Sequence, residues 1–124
     1  MNVVDSSAWL EYFIDGPNAD FFSAPIEDIK DLVVPTISLY EVFKKVVAEK
    51  DEAEAFKTIA QMKQGHVVDL DEDTALSAAR ISIEKGVPMA DSIILATAQL
   101  HKATLWTQDE HFREMTGVKF RPKK

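Results

Sequence analysis

The sequence predicts an α/β fold, a three-layer α/β/α domain around a short, mainly parallel central sheet. Three observations carry that reading. Short Val-rich runs show little apolar–polar alternation, as strands buried on both faces do. Amphipathic helical stripes lie between those runs. Glycines and a Gly-Pro pair punctuate the segments where helices and turns should end.

Taken in order, the strands are expected at Asn2–Val4, Leu32–Pro35, Val67–Leu70, Ala103–Trp106 and Val118–Phe120. A first helix over Ser6–Ile14 aligns Trp9, Leu10, Phe13 and Ile14. A second aligns Ile37, Tyr40, Phe43, Val46 and Val47, and a third runs from Ala53 to Met62. Ala75–Ile83 and Ile93–Leu100 complete the set. Gly65 and Gly86 stand where helices should stop, and Gly16-Pro17 marks a turn. Strands that alternate with helices imply right-handed crossovers and a parallel sheet.

The chain has 124 residues, which fits one domain over positions 1–124 with a single core. No repeat or low-complexity tract divides it, and the basic tail 121–124 is expected to fray. With 46% hydrophobic and 28% charged residues it has a globular composition. No apolar run approaches the roughly 18 residues that a membrane helix requires. Asp5 and Glu11 interrupt the N-terminus, so no secretory signal is expected. The absence of cysteine removes disulfides and thiolate metal sites, and accords with a cytoplasmic location. A net charge of −7 disfavours general binding to polyanions, which requires Lys and Arg against phosphate. Any such binding would use local basic patches or bound cations.

In a parallel sheet the functional site lies beyond the carboxyl ends of the strands, near a reversal of strand order. Asp5 follows the first strand, Glu41 lies early in the helix after the second, and Asp109 follows the fourth. Asp91 stands apart. Its helix precedes its strand, and such a helix is expected to start at the other end of the sheet unless the connection before it is unusual. Each acid also has a structural explanation of its own. Asp5 would cap the first helix. "SLYE" (Ser38–Glu41) and "TQDE" (Thr107–Glu110) both read as capping boxes. Glu41 could pair with Lys44 or Lys45.

Convergence would change the balance. Two carboxylates about 4 Å apart repel by roughly 4 kcal/mol at an effective dielectric near 20. A fold that gathers four acids needs a counter-ion, and an all-oxygen ligand set suits Mg²⁺ or Mn²⁺. Such ions bind a phosphodiester and lower the pKa of a bound water.

The segments "VVDSSAWLEYF", "SLYEVFKKV" and "MADSIILATAQLHKATLWTQDEHF", with their spacing, resemble PIN-domain ribonucleases, and most of all VapC-type toxins of toxin–antitoxin systems. The resemblance covers essentially the whole chain. It implies a PIN-like fold and a metal-dependent endoribonuclease that hydrolyses RNA phosphodiester bonds. The family's acidic quartet falls on Asp5, Glu41, Asp91 and Asp109. Asp5 and Asp91 would be the principal metal ligands, with Glu41 and Asp109 completing the site directly or through water. Ser6 and Thr107 would orient carboxylates or water. Lys102 stands where the family commonly has glycine, and Trp106 replaces a smaller aliphatic; neither touches the quartet. The resemblance also implies a cognate antitoxin and a homodimer.

Among the remaining residues, His66, His101 and His111 are scattered and are expected in surface or structural roles. Asp69 and Asp71 are expected to cap the helix that follows them. Lys44, Lys45, Arg121, Lys123 and Lys124 are candidate RNA contacts, against the plainer reading of a solvated face and tail. The dense N-terminal aromatics Trp9, Tyr12, Phe13, Phe21 and Phe22 belong mostly to the core, with some left for a partner groove. Two rival readings remain. One is a receiver-like signalling domain with Asp69 as phospho-acceptor, which would need paired acids after the first strand. The other is a catalytically inactive PIN-like binding module.

Overall fold

Valine decides the sheet. Its branched β-carbon suits a pleated, fully covered surface, and the Val-rich runs form strands β1 (Asn2–Val4), β2 (Leu32–Pro35), β3 (His66–Val68), β4 (Thr104–Thr107) and β5 (Val118–Phe120) in a computed structural model that describes residues 1–124. All pairings are parallel, in the order β3-β2-β1-β4-β5. The register sets Val3 opposite Val33 and Leu105, and Val4 opposite Trp106.

Six helices cover the sheet: α1 (Ser6–Phe13), α2 (Ala19–Glu27), α3 (Thr36–Glu49), α4 (Glu52–Met62), α5 (Glu72–Lys85) and α6 (Met89–Leu100). Successive strand residues point to opposite faces, and the core divides accordingly. Val3, Val33 and Leu105 pack with Ala78 and Ile81 of α5, Ile94 and Leu95 of α6, and Phe112. Val4 and Val34 pack with Trp9 of α1, Phe22 and Ile26 of α2, Val42 of α3 and Met62 of α4. This is the three-layer α/β/α arrangement that the sequence predicts. No helix is long and apolar enough to cross a membrane.

The differences from the expected elements have local causes. β3 stops at Val68, because Asp71 leaves the sheet to cap α5: its Oδ1 accepts from the Thr74 N–H at 2.9 Å. β4 is displaced by one residue, which places Thr107 inside the strand. α2 is an element not expected from the sequence: Pro25 lies within it, yet Ala19, Phe22 and Ile26 form a buried stripe at helical spacing. Beneath α2 the chain turns at Gly16, where an added β-carbon would stand 2.4 Å from the Glu11 carboxylate. That carboxylate accepts from the Asn18 N–H at 2.8 Å, so the close approach is part of the turn.

α5 and α6 form an antiparallel pair joined by Gly86–Pro88. Gly86 ends α5 in the left-handed conformation at φ +69°, which glycine adopts without strain. Ser82 Oγ then donates to the Val87 carbonyl at 2.9 Å and closes the turn.

The basic tail is anchored at its root. The Arg121 N–H donates to the Thr107 carbonyl, and the Asn18 side-chain amide donates to the Pro122 carbonyl at 3.0 Å.

Phe112 is fully buried, and it holds down the short 3₁₀ turn Glu110–Phe112 that follows β4. Phe112→Ala should destabilise the protein by about 3–5 kcal/mol in urea unfolding. A loss below about 1 kcal/mol would mean that this turn is not held by the core.

Candidate active site

β1 lies between β2 and β4, so the chain reverses its direction of sheet-building at the β1–β4 junction. A crevice forms outside the carboxyl ends of the strands at such a point. Asp5, Ser6, Glu41, Asp91 and Asp109 line one cleft there, with Lys45 at its side.

Asp5 follows β1 and caps α1. Its Oδ1 accepts from the Ala8 N–H at 2.9 Å and from Ser7 Oγ at 2.9 Å. Capping does not exhaust its role. Its Oδ2 accepts from Thr107 Oγ1 at 2.6 Å, and the same hydroxyl accepts the Asp109 N–H at 2.9 Å. Thr107 thus links the acid after β1 to the acid after β4, so the "TQDE" capping box gives way to a cross-strand link. The "SLYE" box does not form either. α3 begins at Thr36, which places Ser38 inside the helix, and Glu41 turns away to accept from Ser6 Oγ at 2.6 Å. Lys45 pairs with Glu49 instead of Glu41.

Asp91 joins the group, and the expectation that its helix starts at the far end of the sheet is overturned. α6 ends at Leu100, three residues before β4, and runs against it. A helix that ends where its strand begins must start near where that strand ends. Helix direction alone explains this, since any helix that runs against the strand it feeds begins at the carboxyl ends; α5 is an additional helix packed antiparallel to α6. The start of α5 accordingly lies on the side of the end of α6, as the antiparallel packing of the two helices requires. Asp91 sits in the first turn of α6, where an anion also suits the helix dipole.

The structure adds a residue that sequence spacing did not select. His111 Nδ1 lies 2.7 Å from Asp91 Oδ2 and 3.2 Å from Asp109 Oδ1. One ligand atom each from Asp91, Asp109 and His111 fall within 4.8 Å of one another. Asp5 and Glu41 line the same cleft outside that tight group. The expected surface role of His111 is therefore incomplete. Its partner Asp91 is 20 residues away, beyond any helical or turn spacing. His66 lies exposed on the edge strand, and the His101 Nδ1–H donates to the Thr97 carbonyl. Asn18 and Gln108 were also missed. Asn18 Nδ2 donates to Gln108 Oε1 at 3.0 Å, which braces the segment between Thr107 and Asp109 from behind.

The electrostatics fit a bound cation. Burial pushes the Asp5 carboxyl up to about 7, against the hydrogen bonds from Thr107, Ala8 and Ser7, and the charge of Asp109 raises it further. Burial also raises Asp91. Its His111 hydrogen bond opposes that shift, while the charges of Asp109 and Glu41 add to it. The hydrogen bond to Asp91 raises the pKa of His111, with the Asp109 charge adding to it. Carboxylates crowded this way gain from a divalent counter-ion, and an oxygen-rich donor set suits Mg²⁺ or Mn²⁺.

The basic candidates are distributed unevenly. Lys45 lines the acidic cleft, and Lys45, Lys123 and Lys124 line a groove beside it with Ser7 and Gln108. Lys44 lies over the Tyr40 ring, and the Arg121 guanidinium lies 4.3 Å from the centre of the Phe21 ring. Asp69 is exposed beyond the edge strand and does not line the cleft.

A family model described as "PIN domain" matches residues 3–118. Comparison with curated protein sequences gives no match. Among solved structures, the fold is similar to a chain of a toxin–antitoxin complex from Klebsiella pneumoniae, at TM-score 0.81 and 22% identity over 96% of each chain. It is also similar to VapC20 of Mycobacterium tuberculosis, described as a sarcin-ricin loop cleaving toxin, at TM-score 0.79 and 15% identity. That likeness covers 98% of this chain and all of the other. FitAcB from Neisseria gonorrhoeae matches at TM-score 0.74 and 22% identity, over 97% and 96% of the two chains.

Asp5 makes the apoprotein sensitive to pH. With its folded pKa raised from 3.8 to about 7, the native state keeps a proton that the unfolded chain releases. Its stabilising contribution is full below pH 3.8 and is lost as pH rises through 7. Chemical unfolding in a chelator should show stability falling over that range, and Asp5→Asn should flatten the fall and make the apoprotein more stable at pH 8. A variant with the wild-type pH profile would remove Asp5 as the source.

Proposed function

The chain belongs to the PIN-domain family, and from that premise we propose that it is a Mg²⁺- or Mn²⁺-dependent endoribonuclease. Its role is that of the VapC-type toxin of a toxin–antitoxin pair, acting in the cytoplasm. The observation that carries the reading is the convergence of Asp5, Glu41, Asp91 and Asp109 in one cleft at the β1–β4 switch point. Four acids from four separate segments have no shared structural task, since each cap or helix could be completed without the others.

In this reading Asp5 and Asp91 hold the cation, and Glu41 and Asp109 complete its surroundings directly or through water. When bound, the ion activates water and offsets negative charge at the scissile phosphate. The chain's own residues supply position. Thr107 fixes one oxygen of Asp5 and the backbone of Asp109. Ser6 fixes Glu41 from the first turn of α1. Lys45, Lys123 and Lys124 supply cationic contacts to the RNA backbone beside the acids, where an acidic protein needs them. Lys44 and Arg121 act further out, each already resting on an aromatic ring.

The receiver alternative loses its support, because its acceptor Asp69 lies outside the cleft and the family is that of PIN domains. The inactive-module alternative makes a different prediction from the nuclease. Asp5→Asn and Asp91→Asn should each lower RNA cleavage at least about 100-fold, corresponding to loss of a few kcal/mol of ion-derived stabilisation. Circular dichroism should show both variants folded. Cleavage at the wild-type rate in both would overturn the mechanism, and a wild-type protein inert with Mg²⁺ and Mn²⁺ would favour the inactive module.

Two grooves, one apolar and one of mixed lining, support an antitoxin partner and a homodimer. The apolar one holds Leu39, Tyr40, Phe43 and Phe56 between α3 and α4, and the other sets Leu10, Phe13, Ile14 and Val46 among charged and polar residues of α3 and α4, as an amphipathic segment requires. Grooves of this kind receive amphipathic partner segments. Co-purification with the cognate antitoxin should be lost in Phe13→Asp, while light scattering of the pure chain should give a dimer. Full capture of the variant and a monomer at all concentrations would remove both assignments.

A further inference from the structure

We propose that His111 is a ligand of the catalytic cation, giving the site a nitrogen donor and a preference for Mn²⁺ over Mg²⁺. The inference rests on the metal-dependent reading above and goes beyond its acidic ligands.

The geometry is specific. His111 Nδ1 stands 2.7 Å from Asp91 Oδ2 and 3.2 Å from Asp109 Oδ1. Neighbouring donors around an octahedral ion with bonds near 2.1 Å lie about 3 Å apart. His111 Nδ1 is therefore spaced from both carboxylates as one ligand is from its neighbours in such a shell, and the three ligand atoms lie within 4.8 Å of one another. They are also held there from two directions. Asp91 comes from the first turn of α6. Asp109 and His111 share one short turn, in which the His111 N–H donates to Asp109 Oδ1 at 2.9 Å. The buried Phe112 pins that turn to the core and leaves the imidazole at the surface, facing the acids.

The donor chemistry then decides the ion. Mg²⁺ favours oxygen and retains its waters, whereas imidazole suits transition ions. Coordination through Nδ1 uses the neutral tautomer with its proton on Nε2. The Nδ1–H bond that donates to Asp91 is broken as the ion binds. Its proton passes to solvent or, from the neutral ring, is matched by protonation of Nε2, and the hydrogen bond to Asp91 is replaced by shared ligation.

The test titrates Mg²⁺ and Mn²⁺ separately into the chelator-stripped full chain by calorimetry, for the wild type, His111→Gln and His111→Ala. Pulsed electron paramagnetic resonance of bound Mn²⁺ reads nitrogen coupling directly. The wild type should bind Mn²⁺ at least about tenfold more tightly than Mg²⁺, and both variants should lose about tenfold in Mn²⁺ affinity with Mg²⁺ affinity nearly unchanged. Nitrogen coupling should be present in the wild type and absent from both variants. Wild-type Mn²⁺ affinity in the variants, or Mn²⁺ bound without nitrogen coupling, would overturn the inference while leaving an acidic metal site intact. Absence of binding by either ion would overturn the metal-dependent reading itself.

Discussion

A buried carboxylate must find partners, and Asp5 finds them by drawing the ends of two strands together. Its side chain is 2% exposed, where an unpartnered charge would be costly. The Ala8 N–H and the Ser7 and Thr107 hydroxyls meet it. Thr107 also receives the Asp109 N–H, so one hydroxyl fixes both the buried acid and the backbone of the acid after β4. The Asp5 N–H pairs with the Trp106 carbonyl and extends the β1–β4 ladder to the edge of the cleft. That cross-strand link ties the acid after β1 to the acid after β4.

The hydrogen bonds do not cancel the cost of burial. The Asp5 carboxyl remains well above the ordinary range for an aspartate, and Asp91 is raised as well. The protein thus holds its acids in a cleft that favours added positive charge. In the apoprotein His111 meets part of that need, with its own pKa raised by Asp91 and Asp109. Chains with this electrostatic arrangement couple ion binding to stability. The same feature lets a protein of net charge −7 receive a polyanion at one point on its surface.

The helical pair α5–α6 resolves the problem of reach. A single crossover helix between β3 and β4 would have to span from the edge strand past β2 and β1. Two helices cover that distance on one face and bury Ala78, Ile81, Ile94 and Leu95 against Val3, Val33 and Leu105. Their antiparallel packing returns the chain so that α6 begins beside the strand ends. Pro88 at the start of α6 gives no side-chain cap, which leaves the first turn open to the nearby Asp91 and His111.

The sequence by itself determined the layers, the strand locations and the four acids. Strand burial and helix amphipathicity are written in nearest-neighbour periodicity, which local residue order contains. It also marked Asp71 as a cap, because capping acts within one turn. It misread "SLYE" and "TQDE" as capping boxes, since a local pattern says nothing of a better partner 35 or 102 residues away. α2 was passed over because Pro25 within it reads as a helix breaker, although its Phe22 and Ile26 form a stripe that packs into the core. Only the tertiary structure decided that Asp91 meets Asp109, that His111 joins them, and that Lys45 and the tail lysines flank the cleft. Those contacts depend on the direction of α6 and the order of strands, and neither is encoded in any short stretch of residues.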